Sequence, residues 1–387
     1  MDWMIERSHI SEIAKGYGKD VTVGVLGSHS ALDVLDGSNQ EGLRTITVTQ
    51  KGRDAAYVRY FRKLPAGKTS PARGFVDDVM QLPKFSDLMK RENLAALRKR
   101  NTVFVPNRSL SSYCSLDDIE EKFNVPLFGS RKMLRSEERE EKENYYTLLE
   151  KAGLPYPEHI SDPSDIDSLV MVKMHHKLKR LERGFFTASS ADEYRRKAEE
   201  LIASNVISRE ELSNARIERY IIGPVFNLDF FYSPLEEKGE RIELLGIDWR
   251  FESSLDGHVR LPADQQLSLR GSQRIPEYTV VGHNSATLRE SLLDAAFELA
   301  EKYVSAAMNA YPPGIIGPFT LQTCVDKDMH FYIYDVAPRI GGGTNVHAWV
   351  GHPYGNMLYN RNVSSGRRVA MEIKRAVIEE RIEEIVT

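Results

Sequence analysis

Val21-Thr22-Val23-Gly24-Val25-Leu26-Gly27, running on through Ser28-His29-Ser30 into Ala31-Leu32-Asp33-Val34-Leu35, sets the fold class of this chain. β-Branched residues make the first stretch a strand, and the apolar spacing after Ser30 starts a helix. The same alternation continues outward. Residues 45–49 read as a second strand, 101–106 as a third and 116–123 as a helix. Strands that alternate with helices imply a parallel sheet covered by helices. Residues 1–129 are therefore expected to form a small Rossmann-like α/β domain, with an amphipathic helix within residues 1–20.

The texture then changes. Residues 136–151 are charge-dense and read as one helix, with Glu137 to Glu143 as its solvated face. Gly153-Leu154-Pro155-Tyr156-Pro157 ends it. Residues 169–173, 185–188 and 216–222 read as strands, with a helix over 192–203. The strands at 225–232 and 242–249 look antiparallel, a long helix covers 290–308, and 319–325 with 330–336 form a hairpin. A helix over 370–385 closes the chain.

Composition narrows the function. The chain has 387 residues, 41% hydrophobic and 28% charged, so two or three packed globular units are expected. A net charge of −4 argues against nucleic acid as the main partner. Cys114 and Cys324 lie far apart and in no metal-ligand spacing, which fits a reduced cytoplasmic protein. The segment from Met1 to Arg7 lacks the apolar core of a signal peptide, and no apolar run approaches the roughly 20 residues that span a bilayer. No membrane role is expected.

The hairpin carries the first chemical signal. A two- or four-residue loop between its arms puts Gln322 and Asp335 on one face. An amide oxygen beside a carboxylate suits Mg²⁺, which takes few protein ligands and completes its shell with phosphate and water. Taken alone, the pair reads better as ordinary polar residues on the wet face of a sheet. Arg339-Ile340-Gly341-Gly342-Gly343-Thr344-Asn345 follows, a guanidinium fork and then glycines whose N–H groups can approach an anion. The N-terminal domain offers a second site. Its strands end at Gly27-Ser28-His29-Ser30, Gln50-Lys51-Gly52-Arg53-Asp54 and Asn107-Arg108-Ser109, where open α/β sheets hold phosphorylated ligands. Ser28, Ser30 and Ser109 also suit plain helix capping.

The residues match a known family over nearly the whole chain. Leu26-Gly27-Ser28-His29-Ser30, Lys51-Gly52-Arg53-Asp54, Phe231-Tyr232-Ser233-Pro234-Leu235, Leu244-Leu245-Gly246-Ile247-Asp248, Leu261-Pro262-Ala263-Asp264-Gln265, Pro313-Gly314-Ile315-Ile316-Gly317-Pro318-Phe319 and Gly342-Gly343-Thr344-Asn345 resemble PurP. This is the archaeal family of formate-dependent ligases of purine biosynthesis, within the ATP-grasp superfamily. The resemblance implies an ATP-grasp fold over 130–387, with a small lid at about 150–223. It implies an ATP-dependent C–N ligase that converts 5-aminoimidazole-4-carboxamide ribonucleotide (AICAR) and formate to the formamido ribonucleotide through formyl phosphate. ATP is co-substrate, Mg²⁺ or Mn²⁺ the metal, and a homo-oligomer, trimer or hexamer, the assembly.

By resemblance, His29, Ser109 and His283 contact the ribonucleotide. Lys173 reaches phosphate, the strand Glu218-Arg219-Tyr220-Ile221 meets adenine, and Asn227 and Glu252 make further ATP contacts. Gln322 and Asp335 fall on the metal-ligand positions, Asp335 where the family carries Glu, and Arg339 offsets charge on the transferring phosphoryl group. One departure stands out. The family's glycine-rich phosphate loop is replaced here by Met174-His175-His176-Lys177-Leu178-Lys179-Arg180-Leu181-Glu182-Arg183-Gly184, with one glycine. Two further readings therefore stay open: an ATP-grasp ligase for another small acid and amine, and a nucleotide-binding regulatory paralogue without turnover.

Overall fold

The computed structural model describes residues 5–174, 185–270, 273 and 279–387, and it is built on three sheets. In the first, β1 (Thr22–Leu26), β2 (Arg44–Gln50), β3 (Asp78–Leu82) and β4 (Thr102–Val105) run parallel in the order β3-β2-β1-β4. Every residue of β1 is buried. Val23, Val25, Val103 and Val105 pack to one side, while Leu26, Ile46, Val48 and Phe104 pack to the other. Such double burial is what a parallel sheet requires. Sequence reading missed β3, a partly exposed edge strand whose Asp and Gln dilute the apolar signal.

The second sheet is antiparallel, with β5 (His159–Ile160), β6 (Val170–Lys173), β7 (Phe185–Ala188) and β8 (Arg216–Arg219) in the order β5-β8-β6-β7. The helix Ala191–Ala203 covers it through Tyr194 and Ala198.

The third sheet holds β9 (Val225–Tyr232), β10 (Ile242–Glu252), β11 (Val280–Ala286), β12 (Gly317–Val325) and β13 (Phe331–Ala337), ordered β11-β10-β9-β12-β13. Leu228, Phe230, Ile247, Phe319, Leu321 and Val336 form its core face, against Ala296, Tyr303 and Ala307 of the helix Leu293–Ala310. Period-two alternation sends the intervening polar residues to the opposite face.

The N-terminal sheet is tied to the rest by helix contact. Ala31–Gln40 lies against the closing helix Ser365–Ile378, where buried Asp33 accepts the Gly366 N–H at 2.9 Å.

Three expectations are corrected. Residues 136–151 are not one helix. A 3₁₀ turn covers Lys132–Glu137, and the α-helix begins only at Tyr145, where the Asn144 side chain caps it. Glu137 and Arg139 are buried, so the charge run is no solvated face. The last helix stops at Ile378, followed by a 3₁₀ turn at Ile382–Glu384. The hairpin turn is also odd in length. The Asp326 N–H donates to the His330 carbonyl at 3.0 Å, leaving three residues at the tip with Met329 at φ 66°.

An odd turn alone would set Gln322 opposite Tyr334. Instead Val325, Cys324 and Thr323 pair with Phe331, Tyr332 and Ile333, and then Gln322 pairs with Asp335. Tyr334 is the extra residue of a β-bulge, and the bulge restores the shared face that an even turn was expected to supply.

Candidate functional site

One row crosses the polar face of the third sheet. Asp335 lies opposite Gln322, Gln322 opposite Asn227, and Asn227 opposite Asp248. Directly opposed residues of neighbouring strands share a face. The Asn227 amide donates to Asp248 Oδ1 at 2.8 Å. The Gln322 Oε1 atom is buried and accepts no hydrogen bond. The charge of Asp335 reaches Arg108, Arg139, Lys173 and Arg250, so this acid acts on four cations.

Between this face and the second sheet opens a cavity of about 560 Å³. Its walls include Lys173, Glu218, Arg219, Tyr220, Ile221, Glu252 and Asp335. Phe226, Trp249 and Leu255 add apolar surface. Lys173 ends β6 fully enclosed: its Nζ donates to the Tyr146 hydroxyl and to the Tyr334 carbonyl, both at 3.1 Å, and pairs with Glu218. The bulge is what leaves the Tyr334 carbonyl available to that lysine, and the Tyr334 hydroxyl lies 2.5 Å from Arg250. Burial draws the Lys173 pKa down to about 8, against the opposing pull of Glu218. Burial works to raise the Glu218 carboxyl, but Lys173, Tyr146 and Arg216 outweigh it and leave it below its ordinary value. The Arg216 Nε donates to Glu218 at 2.7 Å.

The second candidate site adjoins the first. His29 follows β1 with φ 55°, a left-handed conformation uncommon for a residue bearing a Cβ. The Asn345 amide holds it there by donating to the His29 carbonyl at 2.7 Å, while Asn345 Oδ1 accepts from the Asp33 N–H at 3.2 Å. Burial first, then the charges of Arg339, His283 and Arg108, hold the His29 pKa well below the imidazole value. The glycine run expected to meet an anion lies against side chains. A Cβ on Gly342 would sit 2.8 Å from His29 Nε2, and one on Gly343 2.2 Å from Asp248 Oδ2. Only glycine lets the backbone pass so close.

Arg339 is buried; its NH2 group donates to Glu137 at 2.6 Å and NH1 to the Ile340 carbonyl at 2.8 Å, and its Nε has no acceptor. Arg108 pairs with Glu138 and lies 3.6 Å from Glu137. The serine capping expected at the strand ends is not found. Asn107 caps the helix after β4 by accepting from Leu110 N, and Ser30 makes no cap hydrogen bond. Ser109 is buried, whereas Lys51 and Arg53 stay exposed, Arg53 donating to the Tyr113 hydroxyl at 2.7 Å. His283, on β11, has its Nδ1 2.6 Å from Asp248 Oδ1.

Thus the candidates fall into two groups meeting at Asp335 and Arg339. Lys173, Glu218–Ile221 and Glu252 wall the cavity, while His29, Ser109, His283, Asn227, Gln322 and Arg339 lie outside its lining. Residues 175–184 lie outside the described residues; Met174 at their threshold is buried. Sequence reasoning missed Glu137, Arg139, Arg250, Tyr334, Asp229 and Asp248. For Asp229 the signal was present, since it keeps the period-two phase of Asn227 on the same strand. Among the described residues no three His, Cys, Asp or Glu side chains form a metal cluster, both cysteines are free and buried, and no helix is long and apolar enough to cross a membrane.

Comparison with known proteins places this geometry. Family models described as a protein of unknown function (DUF1246) and a domain of unknown function (DUF1297) match residues 23–160 and 193–387. The chain is 38% identical over 385 residues to a 5-formaminoimidazole-4-carboxamide-1-(β)-D-ribofuranosyl 5′-monophosphate synthetase of Methanocaldococcus jannaschii, covering 99% of this chain and 100% of that one. A crystal structure of an IMP biosynthesis protein PurP from Thermococcus kodakaraensis superposes with a TM-score of 0.68 at 29% identity, covering 94% of this chain and all of that one. N5-carboxyaminoimidazole synthetase from Staphylococcus aureus, complexed with ADP, superposes with a TM-score of 0.51 at 14% identity, covering 84% and 71%. The fold is the ATP-grasp fold these neighbours share.

Proposed function

The chain belongs to the family of 5-formaminoimidazole-4-carboxamide-1-(β)-D-ribofuranosyl 5′-monophosphate synthetases, and from that premise we propose that it formylates AICAR with formate and ATP, releasing ADP and phosphate. The observation that carries the reading is the row Asp335, Gln322, Asn227 and Asp248, which runs from the cavity wall to His283. ATP would lie in the cavity, its adenine along Glu218–Ile221 and its phosphates toward Lys173, with Glu252 and Asn227 as further contacts. The ribonucleotide would lie by His29, Ser109 and His283. The domain division at residue 129 and a lid over about 150–223 belong to the same proposal, with the second sheet as the lid.

The residues fit a divalent ion. Gln322 Oε1 is buried without a donor and faces the same side as the Asp335 carboxylate, an oxygen pair that Mg²⁺ or Mn²⁺ accepts when phosphates complete the shell. When bound, the ion supplies positive charge that offsets the phosphate oxygens. The protein's own residues do the rest. Formate is a poor electrophile until its oxygen takes the γ-phosphoryl group. Arg339, clamped by Glu137 with its Nε–H unspent, offsets charge on that group during transfer. The exocyclic amine of the ribonucleotide then attacks the formyl carbon and phosphate leaves. Burial of the junction keeps water from the acyl phosphate.

The test is ADP release. With Mg²⁺-ATP, release should require both formate and AICAR and match the formamido ribonucleotide formed. Release indifferent to formate, or none at all, would defeat the reading, and replacing formate by other small acids checks the substrate.

A further inference from the structure

We propose that His283, oriented by Asp248, is the base that takes the proton from the ribonucleotide amine as it is acylated; the inference rests on the formyl-transfer reading above. His283 Nδ1 lies 2.6 Å from Asp248 Oδ1, and its Nε2 has no hydrogen-bond partner among the described residues. The ring is 17% exposed, whereas Asp248 is 1% exposed. A carboxylate on Nδ1 fixes the tautomer with its proton there, which leaves the Nε2 lone pair directed away from the acid.

Two donors converge on Asp248 Oδ1, the His283 Nδ1–H and the Asn227 amide, and a second acid is buried near it. Asp229 is also buried, at 2% exposed, and the charge of Asp248 reaches it. The Oδ2 atoms of both acids are buried without a hydrogen-bond partner among the described residues. Burial first, then the charge of Asp248, raises Asp229 well above the carboxylate range. The Thr320 hydroxyl donates to Asp229 Oδ1 at 2.8 Å and the Asn227 amide to Asp248 Oδ1 at 2.8 Å, which fixes both acids. The groups facing His283 are thus Asp248 on β10, Arg250 opposite it on the same strand, and His29, whose electrostatics include His283. The backbone at Gly342 and Gly343 closes the space between His29 and Asp248. His283 therefore borders the place where the ribonucleotide and the phosphoryl site meet.

The step balances without further reagents. The amine lone pair forms the N–C bond on the formyl carbon, and the C–O bond to phosphate breaks with its electron pair leaving on phosphate. The N–H proton passes to His283 Nε2, and the imidazolium is held by Asp248.

The experiment compares His283→Ala and His283→Gln with the parent full-length chain in two assays: formylation of AICAR, and formohydroxamate formation from formate, Mg²⁺-ATP and hydroxylamine, which traps the acyl phosphate without the amine substrate. The two rates should separate, formylation falling in kcat by about 10²–10⁴-fold and trapping by under about tenfold, with added imidazole restoring formylation to His283→Ala. A rise in KM for AICAR with kcat kept, or a loss that imidazole does not relieve, overturns the base. If the parent chain yields no formohydroxamate, the formyl phosphate reading falls instead, and the trapping assay tells the two failures apart.

Discussion

In the parallel sheet every residue of β1 is buried, and the candidate ligand contacts lie past the strand ends, at His29 and Ser109; in the five-stranded antiparallel sheet the strands themselves alternate between core and site. Phe319, Leu321 and Phe230 point one way, while Thr320, Gln322 and Asp229 point the other. The difference follows from what covers each sheet. Helices on both faces leave a parallel sheet only its ends. The five-stranded sheet instead buries apolar residues on one face and a row of polar side chains on the other, so it can carry chemistry along its length. Neighbouring residues of β12 should therefore separate stability from catalysis, and the loops of the first sheet should carry binding at little cost to folding.

The sharpest way to break this comparison is Asp335→Asn. It keeps the size and one acceptor oxygen and removes the charge that lies opposite Gln322 across the bulge. Turnover should fall by about 10³-fold with the circular dichroism spectrum unchanged. ADP release within about threefold of the parent would remove Asp335 from the metal pair. The opposing test lies one residue from Gln322. Leu321 is fully buried in the core face, and Leu321→Ala should cost about 2–5 kcal/mol in urea unfolding while leaving kcat per folded molecule intact. A loss of kcat without a shift in the midpoint would mean that the two faces are not independent.

Those two faces were legible because period two is a strong signal and the Gln322–Asp335 pair needs only a register. The reasoning about turn length was wrong, yet the pairing held, because Tyr334 adds the residue that the odd turn removes. Nothing local in Phe331-Tyr332-Ile333-Tyr334 announces a bulge; the lysine that uses its carbonyl lies 161 residues away. Glu137 was illegible for the same reason. Its run of acids and bases matches a solvated helix, and the cations that meet it, Arg339 202 residues further on and Arg108, lie outside that run. Strand β3 was hidden by its edge position, and the closing helix was drawn too far because Glu379-Glu380-Arg381 keep a helical pattern where Glu380 turns left-handed at φ 58°. Contacts remote in sequence decided the bulge and the burial of Glu137.

The smallest expected effect tests the loop side of the comparison, where Ser109 suits both helix capping and ligand binding. In the fold Asn107 takes the capping role. Its Oδ1 accepts from Leu110 N, and its Nδ2 donates to the carbonyls of Leu26 and Ser28, both at 3.0 Å, so it both starts the helix and ties β4 to the loop bearing His29. Ser109 is relieved of that task. Ser109→Ala should leave the unfolding midpoint within about 0.5 kcal/mol of the parent and raise the KM for AICAR by up to about tenfold, the loss of one hydroxyl contact of about 0.5–1.5 kcal/mol. Asn107→Ala should do the reverse, lowering stability by about 1–2 kcal/mol through the lost cap. If Ser109→Ala instead destabilised the chain with KM unchanged, the serine would belong to the scaffold, and the first sheet would not present its ligand contacts from its loops.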